Sequence, residues 1–225
     1  MRRLTLVLIL TFAPYIWAAE TVPSAQDILE GVRFRQVQQQ IDLKGRLRRQ
    51  NDPVVPFQLV QDGPTVRYIF SNPSETLQLQ LGEKESRLEE VSDSGSEKVK
   101  PADLDHKVRG TDVTYEDLSL KFLYWPNAEV MGTENVRTRN CWKLLLRSPN
   151  KQSQYAQVLL WVDKNGGALM RLEAYDAQGH ILKRFEVVSA QKIDDRWFLK
   201  EMRIEQLEPG TNHVLSRTHL NIDKS

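Results

Sequence analysis

The distribution of apolar and polar positions predicts a run of β-strands in the C-terminal third of the chain. Five strand-like segments follow one another there, separated by short turns. The segments are Tyr155–Asp163, Ala168–Tyr175, Ile181–Ser189, Arg196–Leu207 and Val214–Ile222. Each turn contains Gly, Pro, Asn or Asp, residues that favour the backbone angles of tight turns. Because connections this short permit antiparallel but not parallel pairing, the pattern predicts an antiparallel meander.

The N-terminal half shows a second run of strand patterns. The segments are Ile41–Gln50, Val54–Gln61, Thr65–Phe70, Glu75–Gly82 and Glu85–Ser92. In the fourth segment Leu77, Leu79 and Leu81 alternate with glutamines, which indicates one apolar and one solvated face. Together with about six strands in the second half, this run predicts one large antiparallel sheet.

A helix is predicted before the first strand. Ser24 is a suitable N-cap, and the helix is expected to continue to about Gln40. Its apolar side chains are expected to lie on the sheet.

The middle of the chain departs from the strand pattern. Asp93–Gly110 is polar and charged, which predicts a mobile loop. Asp112–Phe122 predicts a short helix with Asp112 as its N-cap. Leu118 and Phe122 would share one face of this helix because they are four residues apart. Such a helix could lie across an opening of the sheet, with residues 93–124 forming a loop and a helical cover.

Residues 1–18 have the features of a cleaved signal peptide. Two arginines precede the apolar segment Leu4–Phe12, and Ala18 ends a small-residue exit. No cysteine stands at the cleavage point, so we expect no lipid anchor. The single cysteine, Cys141, lies in an apolar stretch and is expected to be a buried thiol. Residues 19–225 would form one domain.

Composition and charge exclude some functions. The net charge of +1 gives no electrostatic reason to expect nucleic acid binding. Arg46, Arg48 and Arg49 form a small basic cluster, which we interpret as a solvated strand face, with binding of anionic headgroups as the alternative.

Candidate chemistry is sparse. Asp112, Glu116 and Asp117 could supply paired carboxylates to a hydrolase, but stabilisation of a helix start is the stronger interpretation. No two of the four histidines have metal-binding spacing, and no nucleophile elbow or phosphate loop occurs. We therefore expect a protein that is not an enzyme and uses neither a cofactor nor a metal.

Two motifs carry a resemblance to a known family. The segments Gly110–Leu118 and Tyr155–Lys164, continued by Leu169–Asp176 and Trp197–Met202, resemble the outer-membrane lipoprotein-sorting (LolA-like) proteins, most of all their uncharacterised branch. The resemblance implies a mainly β fold with a few helices. In it, a curled antiparallel sheet forms an incomplete β-barrel that an N-terminal helix and a helical insert cover.

The resemblance also implies a function. It indicates a monomeric periplasmic carrier or chaperone that binds acyl chains of lipoproteins or lipids in a hydrophobic cavity. It further implies transfer toward the outer membrane, or association with an inner-membrane transporter of the resistance-nodulation-division (RND) type. The alternative is a non-enzymatic periplasmic adaptor that docks on a transporter and has no lipid cargo. The carrier's functional arginine has only Arg46 and Arg48 as candidates by region.

Strand parity predicts which side chains could line such a cavity, although plain core packing is the alternative for each of them. The candidates are Leu77, Leu79, Leu81, Leu144, Leu146, Val158, Leu160, Val162, Met170, Leu172, Phe185, Val187, Met202 and Ile204. Leu118 and Phe122 are the predicted cover residues. A one-residue bulge would invert the assignment in any strand.

Overall fold

A computed structural model of the chain describes residues 22–193 and 195–223; the predicted signal peptide lies outside them. The strands are β1 Gln40–Arg49, β2 Val55–Asp62, β3 Thr65–Ser71, β4 Ser74–Leu81, β5 Ser86–Ser92, β6 Gly95–Lys98, β7 Asn127–Val136, β8 Arg139–Arg147, β9 Gln157–Asp163, β10 Leu169–Tyr175, β11 Ile181–Ile193, β12 Arg196–Leu207 and β13 Val214–Ile222. The helices are α1 Ala25–Val37 and α2 Tyr115–Ser119, with 3₁₀ turns at Pro101–Asp103, Val108–Gly110 and Lys121–Tyr124.

The thirteen described strands form one antiparallel sheet in the order β6-β5-β4-β3-β2-β1-β13-β12-β11-β10-β9-β8-β7. Two meanders therefore meet where β1 pairs with β13, with Leu47 opposite Leu220. This confirms the predicted mainly β fold with a single curled antiparallel sheet. The alternation did not reveal β6 and β7, because strands at a sheet edge bury few side chains and carry a weak pattern.

The two edge strands, β6 and β7, are consecutive in the sequence. The chain between them, residues 99–126, therefore runs from one edge of the sheet to the other; we call it the cover segment. Its first part was expected to be a mobile polar loop. The structure instead packs Val99, Leu104 and Val108 into the core, because isolated apolar side chains anchor this otherwise polar stretch.

The predicted helix in the cover segment is shorter than expected and begins later. Thr114, not Asp112, is its N-cap, and Thr114 and Asp117 form a capping box. The helix ends at Ser119, because its C-cap Leu120 has a left-handed backbone conformation, and a 3₁₀ turn follows. The Asp112 carboxylate bonds to β13, as described below, and is not available to cap the helix.

Helix α1 begins at the predicted cap, because Ser24 and Asp27 form a capping box. It ends at Val37, three residues earlier than predicted, since Gln40 already pairs with Asp62 in β1. Its buried side chains, Leu29 and Val32, pack with β8–β10 and the end of the cover segment.

The interior contains two apolar clusters. One is built from β1–β5, the first part of the cover segment and β12–β13. The other is built from α1, β8–β10 and the 3₁₀ turn at Lys121–Tyr124. Leu120 and Phe185 pack against both clusters.

Candidate functional site

A cavity of about 550 Å³ lies inside the curled sheet and touches both apolar clusters. The inner faces of β1–β3 and β11–β13 form most of its wall, and the cover segment lies across it. The apolar wall residues on these strands are Ile41, Leu43, Leu47, Phe57, Leu59, Val66, Phe70, Phe185, Val187, Ala190, Trp197, Phe198, Leu199, Met202, Ile204, Leu220 and Ile222. This volume falls within the range of sites that hold small organic ligands.

One end of the cavity reaches the surface. Trp197 belongs to its lining and is 66% exposed, so an opening lies at the start of β12. Helix α1 ends near the same end of the strands, where the side-chain amide of Gln61 donates to the carbonyl oxygen of Gln36 over 2.7 Å. We call this end of the cavity the open end.

The predicted cavity residues fall into two groups. Those that line the cavity are Val158, Leu172, Phe185, Val187, Met202 and Ile204, together with the cover residues Leu118 and Phe122. Those that lie only in the packed clusters are Leu77, Leu79, Leu81, Leu144, Leu146, Leu160 and Val162. The second group faces inward as parity indicates, but neighbouring side chains cover it.

Met170 is a special case among these residues. The pairing of β9 with β10 shifts register between Leu169 and Arg171, so Met170 occupies a bulge. It touches the edge of the cavity and also packs against a small cluster of Val136, Cys141 and Trp161 on the other face. Cys141 is buried, and burial raises the pKa of its thiol.

Sequence reasoning missed most of the wall formed by β1–β3 and β13. The alternation was present in these strands, for example at Val66, Tyr68 and Phe70. The pattern identifies which residues share a face. It cannot distinguish a face that borders empty space from one that neighbouring side chains fill.

A buried ion pair holds the cover segment on β11. Nζ of Lys183 lies 2.6 Å from Oδ2 of Asp117, and the Tyr155 hydroxyl donates to Oδ1 of the same carboxylate over 2.6 Å. The Thr114 backbone N–H donates to Oδ2 over 2.7 Å. Burial, and next the Asp117 charge, raises the pKa of Tyr155 well above its usual value. The Asp117 carboxylate is thus fully occupied by protein donors.

Asp112 fixes the cover segment to β13. Its fully buried carboxylate accepts hydrogen bonds from the hydroxyls of Ser216 over 2.6 Å and Thr218 over 2.9 Å. Nε of Arg49 lies 3.4 Å from the same group. The predicted basic cluster is therefore divided: Arg49 points to the cover segment, whereas Arg46 pairs with Asp223 on the outer face.

Glu116 is the third carboxylate of the predicted set. It is buried and accepts hydrogen bonds from the Ser153 hydroxyl and, over 3.0 Å, from the Gln154 N–H. Burial raises the pKa of Glu116, and these two hydrogen bonds oppose that shift. Each of the three carboxylates binds a different part of the protein to the cover segment. All three therefore have a structural role in this fold.

Within residues 22–193 and 195–223, no group of three His, Cys, Asp or Glu side chains is arranged to hold a metal ion. The same part of the chain has no helix of the length and hydrophobicity that a membrane crossing requires.

A family model described as "Uncharacterized protein" matches residues 95–225, more than half of the chain. The chain belongs to this family of uncharacterised proteins. No curated protein matches it.

Crystal structures show the same LolA-like fold. A putative outer membrane lipoprotein-sorting protein domain from Vibrio parahaemolyticus has a TM-score of 0.68 at 16% identity, with 88% of this chain and 90% of that chain covered. A DUF1329 family protein from Desulfovibrio piger has a TM-score of 0.63 at 19% identity, with 88% and 89% covered. A LolA superfamily protein from Nitrosomonas europaea has a TM-score of 0.62 at 17% identity, with 90% and 93% covered.

Proposed function

We propose that this LolA-like protein is a periplasmic carrier that shelters acyl chains of lipids or lipoproteins in its cavity during transfer toward the outer membrane. The observation that supports this most directly is the apolar cavity of about 550 Å³ that opens to the surface beside Trp197. In this proposal residues 1–18 direct export and are removed, and residues 19–225 act as one monomeric domain without catalysis.

The energetics of an acyl chain explain why a cavity is needed. Each exposed CH₂ group costs about 0.8 kcal/mol in water, so a chain of around fifteen costs on the order of 12 kcal/mol. The apolar wall of β1–β3 and β11–β13 can offset most of this cost. A carrier must also release its cargo, and the cover segment is the part whose displacement would expose the wall.

The adaptor alternative would be favoured by a fully packed interior, and the cavity is the observation that argues against it. Association with an RND-type transporter remains a prediction from the family resemblance. It would be tested by crosslinking the exported protein in cells and identifying the captured membrane partners. Recovery of such a transporter together with lipid-free protein would support the adaptor function.

The carrier proposal is tested by purifying the exported protein under native conditions, extracting it with organic solvent and analysing the extract by mass spectrometry. We expect acyl lipids in stoichiometric amount. The purified protein should also bind a fluorescent fatty acyl probe that a natural lipid extract displaces. Absence of both extracted lipid and probe binding would overturn the proposal.

A further inference from the structure

One polar side chain stands in the middle of the apolar cavity wall. Tyr68 lies on the inner face of β3 between Val66 and Phe70. Its cross-strand neighbours are Leu59 on β2 and Leu77 on β4. The phenol ring is therefore flanked by apolar side chains in both directions of the sheet.

Among the described residues, the Tyr68 hydroxyl has no hydrogen-bond partner. Burial alone raises the pKa of Tyr68 to about 12, with no hydrogen bond contributing to the shift. The group is therefore neutral at physiological pH, and its O–H remains a donor. Tyr68 is half-buried and lines the cavity, so a partner for this donor comes from the cavity and not from the protein.

Two other polar groups of the cavity wall are already engaged within the protein. Asp117 accepts from Lys183, Tyr155 and Thr114. The Gln61 amide donates to the carbonyl oxygens of Gln36, over 2.7 Å, and Gly63, over 2.9 Å. Unlike these two groups, the Tyr68 hydroxyl has no partner among the described residues, and it can donate to a molecule in the cavity.

The position of Tyr68 along its strand indicates which part of a ligand would reach it. Thr65, which pairs with Asp62 beside the β2–β3 turn, marks the open end of β3. Tyr68 is three residues further in, about 10 Å along the strand. An amphiphile whose head group stays at the open end would place the first polar atoms of its chain near this depth.

We propose that the Tyr68 hydroxyl donates a hydrogen bond to the ester carbonyl of an acylated amphiphile, and that this contact selects acyl esters over other apolar molecules. This inference rests on the proposed carrier function and specifies its ligand class. Glycerolipids and lipoproteins both carry such esters, so they share the required chemistry. The hydrocarbon tail would extend from Tyr68 toward Leu118 and Phe122 of the cover segment.

The test compares Tyr68→Phe with the wild type on two matched ligands. One is 1-palmitoylglycerol, which has an ester carbonyl, and the other is 1-O-hexadecylglycerol, in which an ether replaces the ester. We expect the variant to bind the ester about fivefold more weakly and the ether with unchanged affinity, since one neutral hydrogen bond is lost. Tyr175→Phe is the control, because its hydroxyl donates to Glu173 over 2.7 Å.

A third arm uses a synthetic lipopeptide with a diacylglyceryl cysteine. A Tyr68 effect confined to the lipopeptide or to the glycerolipid would assign the source of the ester. Equal loss of ester and ether binding would overturn the inference, because it would show that Tyr68 acts only as part of the wall. Unchanged binding of every ligand would overturn it too, while leaving the carrier proposal intact. Failure of the wild type to bind any of them would instead contradict the carrier proposal itself.

Discussion

The ammonium group of Lys183 lies 2.6 Å from Oδ2 of Asp117, and the two side chains are only 3% and 5% exposed. This ion pair joins β11 to the cover segment across the interior of the protein. Removing one partner of a buried ion pair destabilises the folded protein more than removing one partner of a surface pair, because the remaining charge stays buried without compensation.

Replacing Lys183 by Met should lower the free energy of unfolding by about 3–5 kcal/mol, because the Asp117 charge would stay buried. Chemical denaturation measures this change. Lys143→Met is the matched control, since Lys143 pairs with Glu134 over 3.0 Å on a partly exposed surface and should cost less than about 1 kcal/mol. Similar losses in the two variants would contradict the proposed role of the buried pair.

A double-mutant cycle tests whether the two groups act together. Asp117→Asn and Lys183→Met should show a coupling of at least about 1 kcal/mol, since the residues are in direct contact. Simple additivity of the two effects would mean that the ion pair does not hold the cover segment.

Asp112→Ala should lower the free energy of unfolding by about 2–4 kcal/mol, because the Ser216 and Thr218 hydroxyls would lose their shared acceptor inside the protein. Thermal unfolding followed by circular dichroism checks this. Asp105→Ala, an exposed position in the same cover segment, should have almost no effect. Loss of a catalytic activity in a stable Asp112→Ala protein would instead revive the hydrolase hypothesis.

Filling the cavity should abolish acyl binding without unfolding the protein. Leu220→Trp places a larger side chain into the cavity, and we expect at least about a tenfold loss of affinity for the fluorescent acyl probe. Leu215→Trp is the control on the same strand, since Leu215 is 51% exposed. Equal probe binding by both variants would show that the ligand occupies another site.

The burial of Glu116 predicts a pH dependence of stability. Its pKa is raised in the folded protein above the ordinary value of 4.5, so the folded state favours the protonated form. This contribution is complete below the ordinary pKa and is lost as the pH rises through the folded pKa. The stability of Glu116→Gln relative to the wild type should therefore increase as the pH rises across that interval. Urea unfolding at a series of pH values measures the difference, and a decrease would contradict it.

Gly45 sits on the inner face of β1, directly opposite Phe57 on β2. A Cβ atom at this position would lie 2.5 Å from Cζ of the Phe57 ring. Gly45→Ala should therefore lower the free energy of unfolding by about 1–3 kcal/mol. Gly45→Ala should cost less in a Phe57→Leu background than in the wild type in the same denaturation assay, and an equal cost in both backgrounds would show that the strain lies in the backbone contact with Asn221.

Much of the fold follows from local pattern. The alternation of side chains in Arg196–Leu207 or Val214–Ile222 specifies strands, and the short turns between neighbouring strands permit only antiparallel pairing. Ser24 could be recognised as an N-cap because its capping box with Asp27 is local in sequence. The edge strand Asn127–Val136 escaped detection, since its side chains are largely exposed.

The sequence by itself determined most of the strands and which of their residues share a face, because these depend on residue order and on period-two burial. Only the tertiary structure decided which inward faces border open space. Leu79 and Leu59 have similar patterns, but Leu79 is covered by packing, whereas Leu59 lines the cavity. The partner of Asp112 was also beyond sequence reasoning, since Thr218 is 106 residues away. Contacts of this kind form when a curled sheet brings distant strands under one cover segment. A local sequence pattern cannot predict them, because the two partners are far apart in the chain.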